Sequence, residues 1–216
     1  FTYVQLGLLT AAGFFAQMAA DISLVFLVDR ISRKKLALFA AVLSAAGLLF
    51  YGCTPWLFSA ENIYGGILAA TAVFAFAGGM LEIVLTGVAD SLPQAEGRGG
   101  ICLLHTAYAW AQVALALALL AFVWGFGAER WNTAVFVLAF VPLSALLLLA
   151  RAQFPPRQAR APAKASFKPF YLFAVLAVFF GYGTEVVMNQ WISSFAAEIG
   201  GEAGGMLGCA AFAACL

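Results

Sequence analysis

Apolar residues run through this chain in long unbroken stretches separated by short polar gaps, without the strict alternation that marks a half-buried strand. The pattern predicts spans at about 3–28, 36–57, 63–89, 100–126, 133–150 and 170–195, with a seventh opening near 204. Six of these reach the roughly 17–25 residues that a helix rising about 1.5 Å per residue needs to cross a hydrocarbon core about 30 Å thick. Transmembrane strands would be about half as long and would alternate polar with apolar residues. The expected fold class is therefore all-α, a polytopic transmembrane helical bundle.

Composition agrees. A chain of 216 residues that is 64% hydrophobic and 10% charged has too few polar side chains to coat a water-soluble globule. The opening stretch has no basic region ahead of its apolar run, so targeting is assigned to the helices themselves rather than to a signal peptide. Because it begins at Phe1 and ends at Leu216 inside an apolar run, the sequence is expected to be a fragment or processed form of something longer.

The net charge of +1 matters less than where the charges lie. Arg30, Arg33, Lys34 and Lys35 follow the first span, Arg98 the third, and Arg151, Arg157, Arg160, Lys164 and Lys168 the fifth, while Arg130 alone lies in an intervening gap. Short loops rich in Lys and Arg stay cytoplasmic. Gaps 29–35, 90–99 and 151–168 are thus expected in the cytoplasm, and those carrying Glu61, Glu129, Glu198 and Glu202 on the other side. Trp56, Trp124, Trp131 and Trp191 fall near the predicted outer ends, as interfacial indoles do. The stretch from Arg151 to Lys168, with Pro155, Pro156 and Pro162, reads as an extended linker. The expected organisation is a helix bundle over 1–150, a cytoplasmic linker over 151–168 and the start of a second bundle over 169–216.

No nucleic-acid footprint is present. Cys53, Cys102, Cys209 and Cys215 show no CxxC spacing and read as packing residues, so no metal site, disulfide framework or cofactor is expected. Nothing resembles a nucleophile elbow or acids paired near a membrane face, and an enzyme is not expected. Gly65, Gly66, Gly78, Gly79 and Gly87 give the third span small residues that let neighbouring backbones approach, which suggests a central place in the bundle.

Four ionisable residues lie where lipid is expected: Asp21, Glu82, His105 and Glu185. An ionised side chain there costs about 2.5–3.5 kcal/mol even on a lenient insertion scale, so each should face water or a partner. Asp21 shares a helix face with Gln17, and Glu82 with Gly78 and Thr86, a bare face with room for a ligand. Glu185 shares its face with Tyr182 and Asn189, beside Gln190, and Gly181 and Gly183 just before it permit a bend or local unwinding. His105, Tyr108 and Gln112 form another narrow polar stripe. Glu82 and Asp21 are candidates for proton coupling. Glu185, Tyr182, Asn189, Gln190, His105, Tyr108, Gln112 and Gln17 are candidates for contact with a small-molecule substrate. The competing reading is that all of them are interhelical glue.

The run Asp29-Arg30-Ile31-Ser32-Arg33-Lys34-Lys35 resembles the cytoplasmic signature loop of the major facilitator superfamily, with Val25 and Ser32 standing where the family usually has glycine. The resemblance implies that this chain holds the family's helices two to seven and part of eight, a partial fold of that type. Gly79-Met80-Leu81-Glu82, Gly183-Thr184-Glu185, Asn189-Gln190-Trp191, and Leu103-Leu104-His105 with Tyr108 look similar to sugar-permease-like members, including the fucose permease group. For Glu82 that resemblance implies a part in proton coupling and substrate transport. The loop also has a physical reading: Asp29 can meet the positive end of a helix dipole, while Arg30 or Arg33 pairs with Asp90, together forming a conformational latch.

The expectation is a secondary transporter of a small polar, sugar-like solute, worked by proton symport with alternating access, in a bacterial inner membrane. The alternatives are an exporter of amphipathic compounds, suggested by 21 phenylalanines, and a nontransporting membrane receptor or regulatory protein.

Overall fold

The computed structural model describes residues 2–28, 30–91, 99–155 and 169–215, without the side chains of Val178, Tyr182, Val186, Asn189, Gln190 and Glu202. These residues are almost wholly helical: α1 (Tyr3–Leu27), α2 (Arg33–Leu57), α3 (Ile63–Ser91), α4 (Gly99–Phe126), a 3-10 turn (Ala128–Arg130), α5 (Trp131–Arg151) and α6 (Pro169–Ala214). Helices α1 to α5 are each long and apolar enough to cross a membrane. In α6 the apolar run is Pro169–Glu185, followed by a shorter one at Ala203–Ala214.

The helix starts have local causes. Thr2 opens α1 with a capping box, its hydroxyl accepting from the Gln5 amide at 3.2 Å while its own amide donates to Gln5 Oε1 at 2.9 Å. Ser32, one of the two departures from the signature loop, is the N-cap of α2 and accepts from the Lys35 amide at 3.4 Å. Pro55 lies inside α2, where it cannot donate to the carbonyl four residues back. The buried Thr54 hydroxyl serves that Tyr51 carbonyl instead, at 2.7 Å.

The chain falls into two units, Phe1–Cys102 with Phe126–Pro156, and Leu103–Gly125 with Arg157–Leu216. In the first, α2 packs on both α3 and α5, and α3 packs on α1, giving the order α5, α2, α3, α1. Helix α3 is thus internal to the row, as is α2. Close approach comes from small residues: a Cβ on Gly47 would stand 2.8 Å from the backbone nitrogen of Phe74. A core of Ala20, Leu24, Leu36, Ala37, Ala40, Met80 and Val84 joins α1, α2 and α3, with Leu149 and Phe154 packed against it.

Hydrogen bonds fix which helix ends lie together. Arg33 Nη1, at the start of α2, donates to the Gly87 carbonyl and the Ser91 hydroxyl at the end of α3, both at 3.0 Å. Lys34 Nζ donates to the Ala150 and Ala152 carbonyls at the end of α5, at 2.7 and 2.9 Å. Two neighbouring cations therefore satisfy C-terminal carbonyls of two helices and complement their dipoles. Arg33 and Lys34, at the start of α2, thus lie at the end of the unit where α3 and α5 finish. At the opposite end Tyr64 Oη donates to the Gln5 carbonyl at 2.9 Å. Tyr51 there meets Phe74 and Trp131 edge-on, and Trp56 stacks on Phe136 at 5.6 Å.

In the second unit α6 is interrupted once, at Gly201, whose φ of 65° and ψ of −166° suit glycine. The chain folds back there: a Cβ on Gly205 would meet the Ser193 carbonyl at 2.7 Å, and one on Gly208 would meet Ala196 Cβ at 2.6 Å. The helix runs unbroken through Gly181 and Gly183, so the interruption allowed for at those glycines lies instead between the expected sixth and seventh spans.

Candidate functional site

Two of the sequence candidates from different helices meet in the first unit. Gln17 Nε2 donates to Glu82 Oε2 at 2.7 Å, joining α1 to α3. Gln17 lies ten residues before the end of α1 and Glu82 nine before the end of α3, about 15 and 14 Å from those ends at helical rise. Both are well inside spans.

The backbone explains the meeting. A Cβ on the buried Gly79 would lie 2.9 Å from Gln17 Cγ, 3.1 Å from the Gln17 carbonyl oxygen and 3.2 Å from Ala20 Cβ. Any side chain larger than hydrogen would crowd Gln17 and the α1 backbone beside it. Gly78, adjacent but on another side of α3, is exposed and would meet nothing within 4 Å. It stands one turn before Glu82, which is itself exposed, so the carboxylate lies at the edge of a bare strip of helix. Asp21, one turn beyond Gln17, is exposed too. Carboxylates so placed are costly against hydrocarbon, so this surface suits water or another polar element.

Thr71, eleven residues before Glu82 and so three turns away on the same face of α3, is 8% exposed, and its hydroxyl has no hydrogen-bond partner among the described residues. Its sequence signal is a hydroxyl in phase with an intramembrane acid. The role of Lys34 as a cap on α5 has no sequence signal, because its acceptors are backbone carbonyls far along the chain.

The remaining candidates are placed separately. In the second unit Gln112 Nε2 donates to Tyr108 Oη at 2.9 Å, so this part of the predicted stripe exists as a pair, and His105 is exposed one turn before Tyr108. The Gln112 carbonyl oxygen is buried without a partner among the described residues. Glu185 is half-buried on α6, one residue after Thr184, whose hydroxyl donates to the Phe180 carbonyl at 2.7 Å. The side chains of Tyr182, Asn189 and Gln190 lie outside the described residues. Of the latch residues, Arg33 binds the turn of α3 that contains the exposed Asp90, Arg30 is exposed, and Asp29 lies outside the described residues. Among the described residues no three His, Cys, Asp or Glu side chains converge in a way that would hold a metal ion.

No protein-family model, curated protein or solved structure matches this chain.

Proposed function

We propose that the chain is part of a secondary active transporter of the major facilitator type, moving a small polar, sugar-like solute by proton-coupled symport in a bacterial inner membrane. The observation that carries this reading is the Gln17–Glu82 hydrogen bond, a carboxylate held well inside a span by a second helix and facing a strip of α3 that bears no side chain at Gly78. An acid at that depth alternates between neutral and ionised forms as its surroundings open to one side or the other, which links protonation to conformation. Amide, hydroxyl and carboxylate groups suit the hydroxyls of a sugar.

The meeting of the basic start of α2 with the ends of α3 and α5 supports a multi-pass threading with that end in the cytoplasm. Arg33, tying α2 to α3 at this end, is the member of the proposed latch with the best-defined contacts.

The test is uptake by the full-length protein in proteoliposomes, offered a panel of radiolabelled sugars. Saturable uptake of at least one sugar supports the reading. Folded, reconstituted protein that moves none of them, yet expels an amphipathic dye, sinks it in favour of export.

A further inference from the structure

We infer that Gly79 is a positioning residue for the Glu82 carboxyl, acting through Gln17, and that the three residues together make the proton-carrying site; the second part rests on the transport reading proposed above. Among the described residues Glu82 accepts from a neutral amide, not from Arg or Lys. The choice matters for a group that must gain and lose a proton. A cationic partner would be left without its counter-charge each time the carboxylate was neutralised, at a depth where a lone charge is costly. Glutamine carries both donors and an acceptor. Its N–H serves the carboxylate, and either its N–H or, after rotation of the amide, its carbonyl oxygen serves the protonated acid. The bond is therefore kept through the cycle without stranding a charge.

Gln17 reaches Glu82 only because α1 lies almost on the backbone of α3. The room for this is at Gly79, where a methyl group would come within 2.9 Å of Gln17 Cγ and 3.1 Å of its carbonyl oxygen. The contact below 3 Å falls on the Gln17 side chain itself and the next on its main-chain oxygen, so a methyl group there displaces the bonding side chain, the α1 backbone or both by a few tenths of an ångström. A displacement of that size is enough to weaken a 2.7 Å hydrogen bond. Gly78, next to it, faces open space and has no such duty.

Infrared difference spectroscopy on the full-length protein in nanodiscs tests this directly, using the carboxylic C=O band that disappears in Glu82→Gln. Gly79→Ala should move the band to higher wavenumber, as losing a hydrogen bond does, Gln17→Leu should move it equally, and the double variant no further. Gly78→Ala should leave it in place. In proteoliposomes Gly79→Ala should lower proton-driven uptake about tenfold while sparing counterflow exchange. If Gly79→Ala does not fold, Gly79→Ala with Ala20→Gly, which removes one of the three close contacts, takes its place. A band unmoved in the alanine variant overturns the positioning role. A band that moves while uptake stays indifferent to the proton gradient overturns the coupling role and, with it, the symport reading, but leaves the Gly79-dependent bond established.

Discussion

Arg33 donates to the Ser91 hydroxyl at 3.0 Å, and Ser91 in turn donates to the Val88 carbonyl at 2.8 Å. With the Gly87 carbonyl also held by Arg33, two carbonyls in the last turns of α3 are engaged by this one chain of donors. The contact ties the start of α2 to the end of α3 and explains why a cation is useful at this position whether or not an acid lies opposite.

Arg33→Ala should therefore cost about 2 kcal/mol of stability, read from the midpoint of unfolding in detergent, with Arg33→Lys intermediate because a single ammonium does not reproduce the fork of the guanidinium. If the latch reading holds, Arg33→Ala also shifts the population toward the inward-open state. Cysteines placed in the cytoplasmic cavity of the full-length protein should then be labelled faster, and unchanged labelling would count against the latch.

The Thr54–Tyr51 bond makes a sharper pair of expectations. Thr54→Val should destabilise by about 1–2 kcal/mol, because the hydroxyl that serves the Tyr51 carbonyl is lost while Pro55 still supplies no N–H. Adding Pro55→Ala restores a main-chain donor and should recover most of the loss. Equal stability of the single and double variants would show that the carbonyl finds no benefit from the restored donor.

Glycines in α2 and α3 should separate into two classes. Gly47→Ala forces a methyl group to within 2.8 Å of the Phe74 nitrogen and should cost about 1–3 kcal/mol. Gly65→Ala meets nothing within 4 Å and should be neutral or stabilising by up to about 1 kcal/mol through helix propensity. Thermal unfolding of the two variants in the same detergent decides whether α2 and α3 touch as described.

Gly201 sits at φ 65°, a conformation strained for any other residue. Gly201→Ala should straighten or loosen the turn, moving Gly205 and Gly208 off Ser193 and Ala196. Pulsed electron resonance between spin labels at positions 187 and 211 should show a longer, broader distance distribution than in the parent. An unaltered distribution would mean that alanine adopts the turn without cost.

The helices were legible because apolar runs of span length admit few other structures. Within a helix, sharing of a face was legible too, since Gln17 and Asp21, or Gly78 and Glu82, are separated by one turn. What could not be read was which faces meet across helices. Gln17 and Glu82 were each singled out for their own sake, but their partnership depends on the register of α1 against α3, which is set by the bare backbone at Gly79. Charge alone suggested Arg30 or Arg33 for Asp90; the bonds of Arg33 to the Gly87 carbonyl and the Ser91 hydroxyl in that turn were not legible, because a long donor at a helix end can use carbonyls that no residue code displays. Gly181 and Gly183 illustrate the limit from the other side. Glycine permits an interruption without imposing one, and within α6 it is Gly201 that takes a non-helical conformation.

The most direct measurement is proton-driven sugar uptake by the full-length protein in proteoliposomes, with wild type set against Glu82→Gln and counterflow exchange run in parallel. The account predicts that an inward proton gradient accumulates sugar in wild type, that Glu82→Gln abolishes this accumulation, and that counterflow survives in the variant. Accumulation that persists in Glu82→Gln, or that never depends on the gradient, would contradict it.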